Sequence, residues 1–271
     1  MMKSYKDVNY SLALGLLVAS SALNAGTMGA VGPAPGSFYI GAFGGAGGVG
    51  SENLSQHGIA YFAPPLDVNA YGKASDSDTV GVGGGFIGYK FGSLSGTPWA
   101  MTPALEFEGY YFGLTQRGHD IDDNTNRLLE HDFSVSYPMD NGVLLANGVL
   151  NFDTVWGSVR PYIGGGIGAA IISISGADSL QTTPLELGVN HYNSNTSDDD
   201  WSFAAQVKAG LNFSVSQQVS LFAEYRFLYV SPTDFTFGST QYPGHVPTTN
   251  WNVHLDSMYY NMGTVGLRYD V

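Results

Sequence analysis

Glu106 and Glu108 are the first residues of this 271-residue chain whose type and spacing could do chemistry. Carboxylates two positions apart share one face of a strand, where they can divide into an acid and a base or be held by cations. Two such residues on one face are more often structural ion-pair partners, so no catalytic residue is assigned. The six histidines, His57, His119, His131, His191, His245 and His254, form no H-E-x-x-H metal motif, and no serine occupies a G-x-S-x-G elbow. A hydrolytic site could start only from an incidental pair such as His254 with Ser257. Gly45, Gly47 and Gly50 match the G-x-G-x-x-G dinucleotide fingerprint, and Gly164, Gly166 and Ala169 match it partly. No helix pattern follows either, and Pro64 and Pro65 follow the first, so the strand, turn and helix context is missing. The acidic runs at Asp120, Asp122 and Asp123 and at Asp198, Asp199 and Asp200 read as solvated charge, the first because it lacks the later Glu of a calcium loop. No cofactor and no metal site is expected.

The elements that would position such residues are strands. Charged residues make up 12% and aromatics 13%, with 37 glycines, so the chain is poor in charge for a soluble domain. Mean hydropathy is −0.01, and no stretch beyond the N-terminus reaches the ~18 apolar residues of a spanning helix. A membrane barrel needs only alternate residues to be apolar, which gives this composition. The absence of cysteine excludes disulfide frameworks and thiolate sites, and a net charge of −13 with only ten Lys and Arg argues against a nucleic-acid partner.

Eight segments read as strands: residues 37–49, 79–91, 104–112, 143–153, 160–172, 201–213, 219–229 and 257–271. The sixth is the clearest. Trp201, Phe203, Ala205, Val207, Ala209, Leu211 and Phe213 alternate with Ser202, Ala204, Gln206, Lys208, Gly210 and Asn212. The connections alternate between long (50–78, 113–142, 173–200 and 230–256) and short (92–98, 154–159 and 214–218), as external loops and periplasmic turns do in an outer-membrane barrel. Lys3 and Lys6, the apolar run to Leu23 and the small residues after it form a secretory signal, here taken as residues 1–25, followed by a leader at 26–36 and the barrel at 37–271. The fold expected is all-β, an eight-stranded antiparallel transmembrane up-and-down β-barrel.

If the apolar faces meet lipid, the opposite faces send Lys90, Glu106, Glu108, Asp153, Lys208, Glu224, Arg226 and Arg268 into the lumen, four acids against four bases. Eight strands leave an interior that side chains can fill, so an ion-pair network that plugs the barrel is expected.

Three stretches resemble outer-membrane barrels: Arg160-Pro161-Tyr162-Ile163-Gly164-Gly165-Gly166-Ile167-Gly168, Ala223-Glu224-Tyr225-Arg226-Phe227 and Val265-Gly266-Leu267-Arg268-Tyr269. The families are those typified by the OmpA transmembrane domain, OmpX, OmpW and the opacity-type surface antigens. Ala25-Gly26-Thr27-Met28-Gly29 is similar to the start of surface proteins of Legionella-type bacteria. The resemblance covers about residues 37–271 and implies residence in the cell outer membrane. The partners it implies are outer-membrane lipid and lipopolysaccharide, the barrel-assembly machinery, and a host or surface ligand met by the loops. Members commonly end on Phe, whereas this chain ends Tyr269-Asp270-Val271. The function expected is a non-enzymatic surface barrel acting in adhesion or envelope structure. A narrow pore for small or hydrophobic solutes is the alternative, and a lipid A-modifying enzyme the third reading.

Overall fold

A computed structural model describes residues 36–50, 52–61, 65–74, 79–94, 100–123, 131–153, 158–243 and 246–271. The expected signal and most of the leader lie outside the described residues. The strands are β1 (Ser37–Val49), β2 (Glu52–Ala60), β3 (Leu66–Ala74), β4 (Val80–Lys90), β5 (Met101–Asp123) and β6 (Asp132–Phe152). They continue with β7 (Val159–Ser175), β8 (Asp178–Thr183), β9 (Ser197–Ser214), β10 (Val219–Val230), β11 (Thr233–Phe237), β12 (Trp251–Leu255) and β13 (Met258–Asp270). No helix among the described residues is long and apolar enough to cross a membrane.

Eight of the strands close a ring. The order β5, β4, β1, β13, β10, β9, β7, β6 is hydrogen-bonded throughout, every pair is antiparallel, and β6 pairs back onto β5. Closure leaves no strand edge in the lipid, where an unpaired backbone group costs several kcal/mol. Alternation along each strand sets the two faces. On β9, Val207 is 58% exposed and Lys208 4%; on β10, Tyr225 is 53% exposed and Arg226 0%. An outer face of Ile163, Ile167, Leu144, Phe107, Val265 and Leu267 surrounds a polar inside, the reverse of a water-soluble barrel.

Above this belt the sense of the alternation inverts. A membrane strand needs about 9–11 residues, but β5 has 23 and β6 has 21, so both run on past the bilayer. Along β6 the inward residues change from Asn151, Asn147 and Asn141 interleaved with Val149, Leu145 and Val143 to the wholly apolar and aromatic Met139, Tyr137, Val135 and Phe133, while the outward ones change from Leu144 to Asp140, Ser136, Ser134 and Asp132. The sheet widens here through β11–β12–β2–β3 on one side of β5 and through β8 on β6. The result is a collar with its own apolar core, in which Phe133, Tyr137, Tyr192, Phe235, Phe237 and Trp251 are almost fully buried. The four long connections expected as loops are therefore corrected: each contains strand. They read as loops because Asn, Ser, Gly and Pro are scattered among short apolar runs, and each strand is stable only against neighbours from other connections.

Candidate functional site

Five of the eight lumen residues meet in one cluster. Lys208 on β9 places its Nζ 2.5 Å from Glu106, 3.0 Å from Glu108 and 3.7 Å from Glu224. Arg226, the cross-strand partner of Lys208 on β10, pairs with Glu108 and Glu224. Three carboxylates thus face two cations, and neutral donors supply the remainder. Tyr39 OH donates to Glu106 at 2.8 Å, Tyr162 OH to Glu224 at 2.9 Å, and Asn147 and Gln206 amides to Glu108 at 2.9 and 3.1 Å. Buried charges persist only when paired in this way, and Arg226 Nη2 is left without a hydrogen-bond partner. Two glycines make room for the tyrosines: a Cβ at Gly88 would lie 2.3 Å from the Tyr39 ring, and one at Gly210 2.6 Å from the Tyr162 ring. The Arg226 guanidinium also lies 3.7 Å from the centre of the Phe43 ring, a cation–π contact that strengthens with desolvation.

A second cluster sits at the inner mouth. Lys90 pairs with Asp270 at 2.7 Å, and Arg268 reaches the same carboxylate at 3.0 Å while lying 4.1 Å from the centre of the Tyr39 ring. Asp153 joins neither cluster, which corrects its assignment to the network. Strand β6 ends at Phe152, and register puts Asn147 opposite Glu106, so Asp153 lies at the rim and accepts from Thr102 Oγ1 at 2.5 Å. Asp270, the last residue of β13, takes that place beside Lys90 and Arg268. The four-to-four balance survives with Asp270 exchanged for Asp153.

One cavity among these side chains, bounded by Glu106, Lys208, Glu224, Arg268 and their neighbours, measures about 10 Å³. That is about the room needed for the centre of one water molecule. That cavity has no room for a substrate, and each of the three carboxylates is engaged by a cation.

The other candidates separate. His254 Nδ1 lies 2.7 Å from Asp234, whereas Ser257 pairs with the hydroxyl of Tyr229 at 3.1 Å, so no His254 and Ser257 dyad forms. Gly45 and Gly47 lie within β1, and no helix follows. His191 is not a loop residue in water. It is 5% exposed, sits edge-on to Phe133 and Trp251, and burial holds its pKa below the ordinary value. His57 pairs with Asp67 at 2.5 Å on the outer wall of the collar. Asp198 and Asp200 accept the backbone N–H groups of Thr236 and Asp234 at 2.6 and 3.0 Å and so cap the open edge of β11. His245 and the side chains of Asp120, Asp122 and Asp123 lie outside the described residues. No group of three or more His, Asp or Glu among the described residues is arranged to hold a metal ion.

Comparison with solved structures finds Neisserial surface protein A (15% identity, 86% of this chain and 97% of that one, TM-score 0.38) and OprG of Pseudomonas aeruginosa (15%, 87% and 96%, 0.37). It also finds Ail of Yersinia pestis, solved with the heparin analogue sucrose octasulfate (12%, 84% and 99%, 0.28). Comparison with curated proteins finds no match. A family model described as Surface antigen matches residues 102–269, which run from β5 through β13. With that match over most of the chain, and a closed ring of eight strands wearing an apolar belt, this chain belongs to the Surface antigen family of outer-membrane β-barrels.

Proposed function

We propose that the chain is a non-enzymatic surface barrel whose collar makes contacts outside the cell, in adhesion or in envelope structure, while the lumen network keeps the barrel shut. The observation that carries this reading is the lumen itself: Lys208 and Arg226 bind Glu106, Glu108 and Glu224, and the cavity lined by Glu106, Lys208 and Glu224 holds only about 10 Å³. A shut barrel is a scaffold, and its specificity belongs to the segments it displays. Those segments are strands with a packed core, so the contact surface is rigid before it meets a partner. Pre-ordering reduces the entropy lost on binding. Residues 1–25 act in this reading as a cleaved secretory signal, and the barrel-assembly machinery inserts the chain.

Planar-bilayer recording of the refolded protein tests it. The expected trace stays closed or shows rare, small openings. A stable open state of large conductance would overturn the shut-barrel reading in favour of a pore. Mass spectrometry of lipid A from cells with and without the protein is expected to give one acylation pattern, and a difference would point to an enzyme.

A further inference from the structure

Where the collar passes into the belt, a cavity of about 460 Å³ opens between the start of β2, the end of β3 and the turn from β12 to β13. Glu52, Asn53, Lys73, Asp256, Ser257 and Tyr259 line it. Its height relative to the bilayer follows from Tyr259, whose ring packs against Phe227 and Tyr229 at 6.0 and 5.5 Å between centres. Such an aromatic group marks the headgroup level of a membrane. The volume lies in the range of small-ligand sites, about 300–1,000 Å³.

The lining has a distinct chemistry. Lys73 is exposed and makes no ion pair among the described residues. Asn53 donates to Asp256 at 2.9 Å, which leaves its amide oxygen for other partners, while the second Asp256 oxygen lies 3.6 Å from His254 Nε2. The Ser257 hydroxyl, paired with that of Tyr229 at 3.1 Å, keeps capacity for a further hydrogen bond, and the Tyr259 ring is 44% exposed. Glu52 closes the inner wall at 6% exposure, and neither carboxylate oxygen has a hydrogen-bond partner. Burial pushes its pKa up to about 8, which lessens its repulsion of an anion at neutral pH.

Directly below, the lipid face is bare. Gly48, Gly81 and Gly263 point outward, and a Cβ at any of them would meet nothing within 4 Å. Register makes them neighbours, since Ala46 lies opposite both Gly81 and Gly263, and Gly44 lies opposite Gly83. Sterics do not demand glycine at Gly48, Gly81 and Gly263. Their effect is a shallow trough on a belt that projects Phe, Ile, Leu and Val at many other positions and is bare again at Gly142 and Gly148 of β6.

We infer that this junction binds a phosphorylated glycolipid of the outer leaflet: a phosphate on Lys73, a sugar ring against Tyr259 with its hydroxyls on Asn53, Asp256 and Ser257, and an acyl chain along the glycine trough. The lysine alone would accept any anion, and the trough alone any hydrocarbon chain. Their alignment across the girdle selects a molecule carrying phosphate, sugar and acyl chain together. The inference rests on the proposed envelope role, in which the collar stands among such lipids.

Native mass spectrometry of the full chain in detergent tests it. The probes are bis-phosphorylated lipid A, its dephosphorylated form, phosphatidylglycerol and water-soluble glucosamine 1-phosphate. Wild type should retain lipid A about tenfold better than phosphatidylglycerol or the dephosphorylated form, and Lys73→Met should lose about tenfold, the scale of one charge-assisted contact. Gly81→Leu, which fills the trough, should weaken lipid A retention and leave Lys73 in place. Equal retention of lipid A by wild type and both variants, or equal retention of phosphatidylglycerol, would overturn the site. Glucosamine phosphate bound as tightly as lipid A would overturn the lipid assignment. Each sample is also run heated and unheated on gels, so that a lost barrel is told apart from a lost site. Bilayer recording tests the shut lumen separately.

Discussion

Lys208 carries more of the interior than any other side chain, because it faces Glu106, Glu108 and Glu224 at once. Removing one partner from a buried cluster costs about 3–5 kcal/mol, since the charges left behind cannot recover water. Lys208→Met should lose stability on that scale in urea unfolding followed by heat-modifiability. Adding Glu106→Gln should restore part of it. A loss below about 1 kcal/mol would mean that water reaches the cluster. Glu52 makes the opposite kind of prediction. Its folded-state pKa of about 8 lies above the ordinary 4.5, so the stability it contributes is complete below about pH 4.5 and is lost as pH rises through 8. The gap in thermal stability between Glu52→Gln and wild type should therefore widen from pH 5 to pH 9, and a constant gap would sink the assignment. Sequence alternation places Glu106, Glu108, Glu224, Lys208 and Arg226 on inward faces. It could not separate Asp153 from Asp270, because both stand at strand ends, where register and not alternation decides the neighbour.

At the scale of elements, the collar depends on strands that have no stability alone. β11 is five residues long and pairs with β12 on one side only. Its other edge is closed by the carboxylates of Asp198 and Asp200 from β9. An open edge invites pairing with other chains, and charged groups are a common means of closing one. Replacing both residues by Asn should speed amide exchange at Asp234 and Thr236 by about tenfold or more, the effect of losing a hydrogen bond to a charged acceptor. Exchange rates should stay near wild type in β10. The same residues read as solvated charge in the sequence, because nothing local announces that β11, more than thirty positions on, will lie beside them. The upper halves of β5 and β6 were hidden differently. Their alternation is regular, but its apolar phase moves from the lipid face to the core face, and a single search for an apolar outer face stops where the phase changes.

For the whole molecule, that change of phase is the membrane boundary, and one strand can test it. Val207 and Asp199 share the outward face of β9, eight positions apart, the first in the middle of the belt and the second in the collar. Val207→Arg should cost about 2–4 kcal/mol of folding stability in lipid vesicles, as a charge at the bilayer midplane does. Asp199→Arg should change it by about 0.5 kcal/mol or less, as surface substitutions do. Equal costs would place the boundary elsewhere. Taken by itself, the sequence determined the eight strands of the barrel, their antiparallel order and the lipid-facing residues, because these follow from a period of two and from segment spacing, both local properties. Only the tertiary structure decided which charges meet, that the long connections build a packed collar, and that a cavity opens at its base. Those features join residues as distant as Glu106 and Lys208, or Asn53 and Asp256, and the contact between such pairs is set by strand register around a closed ring.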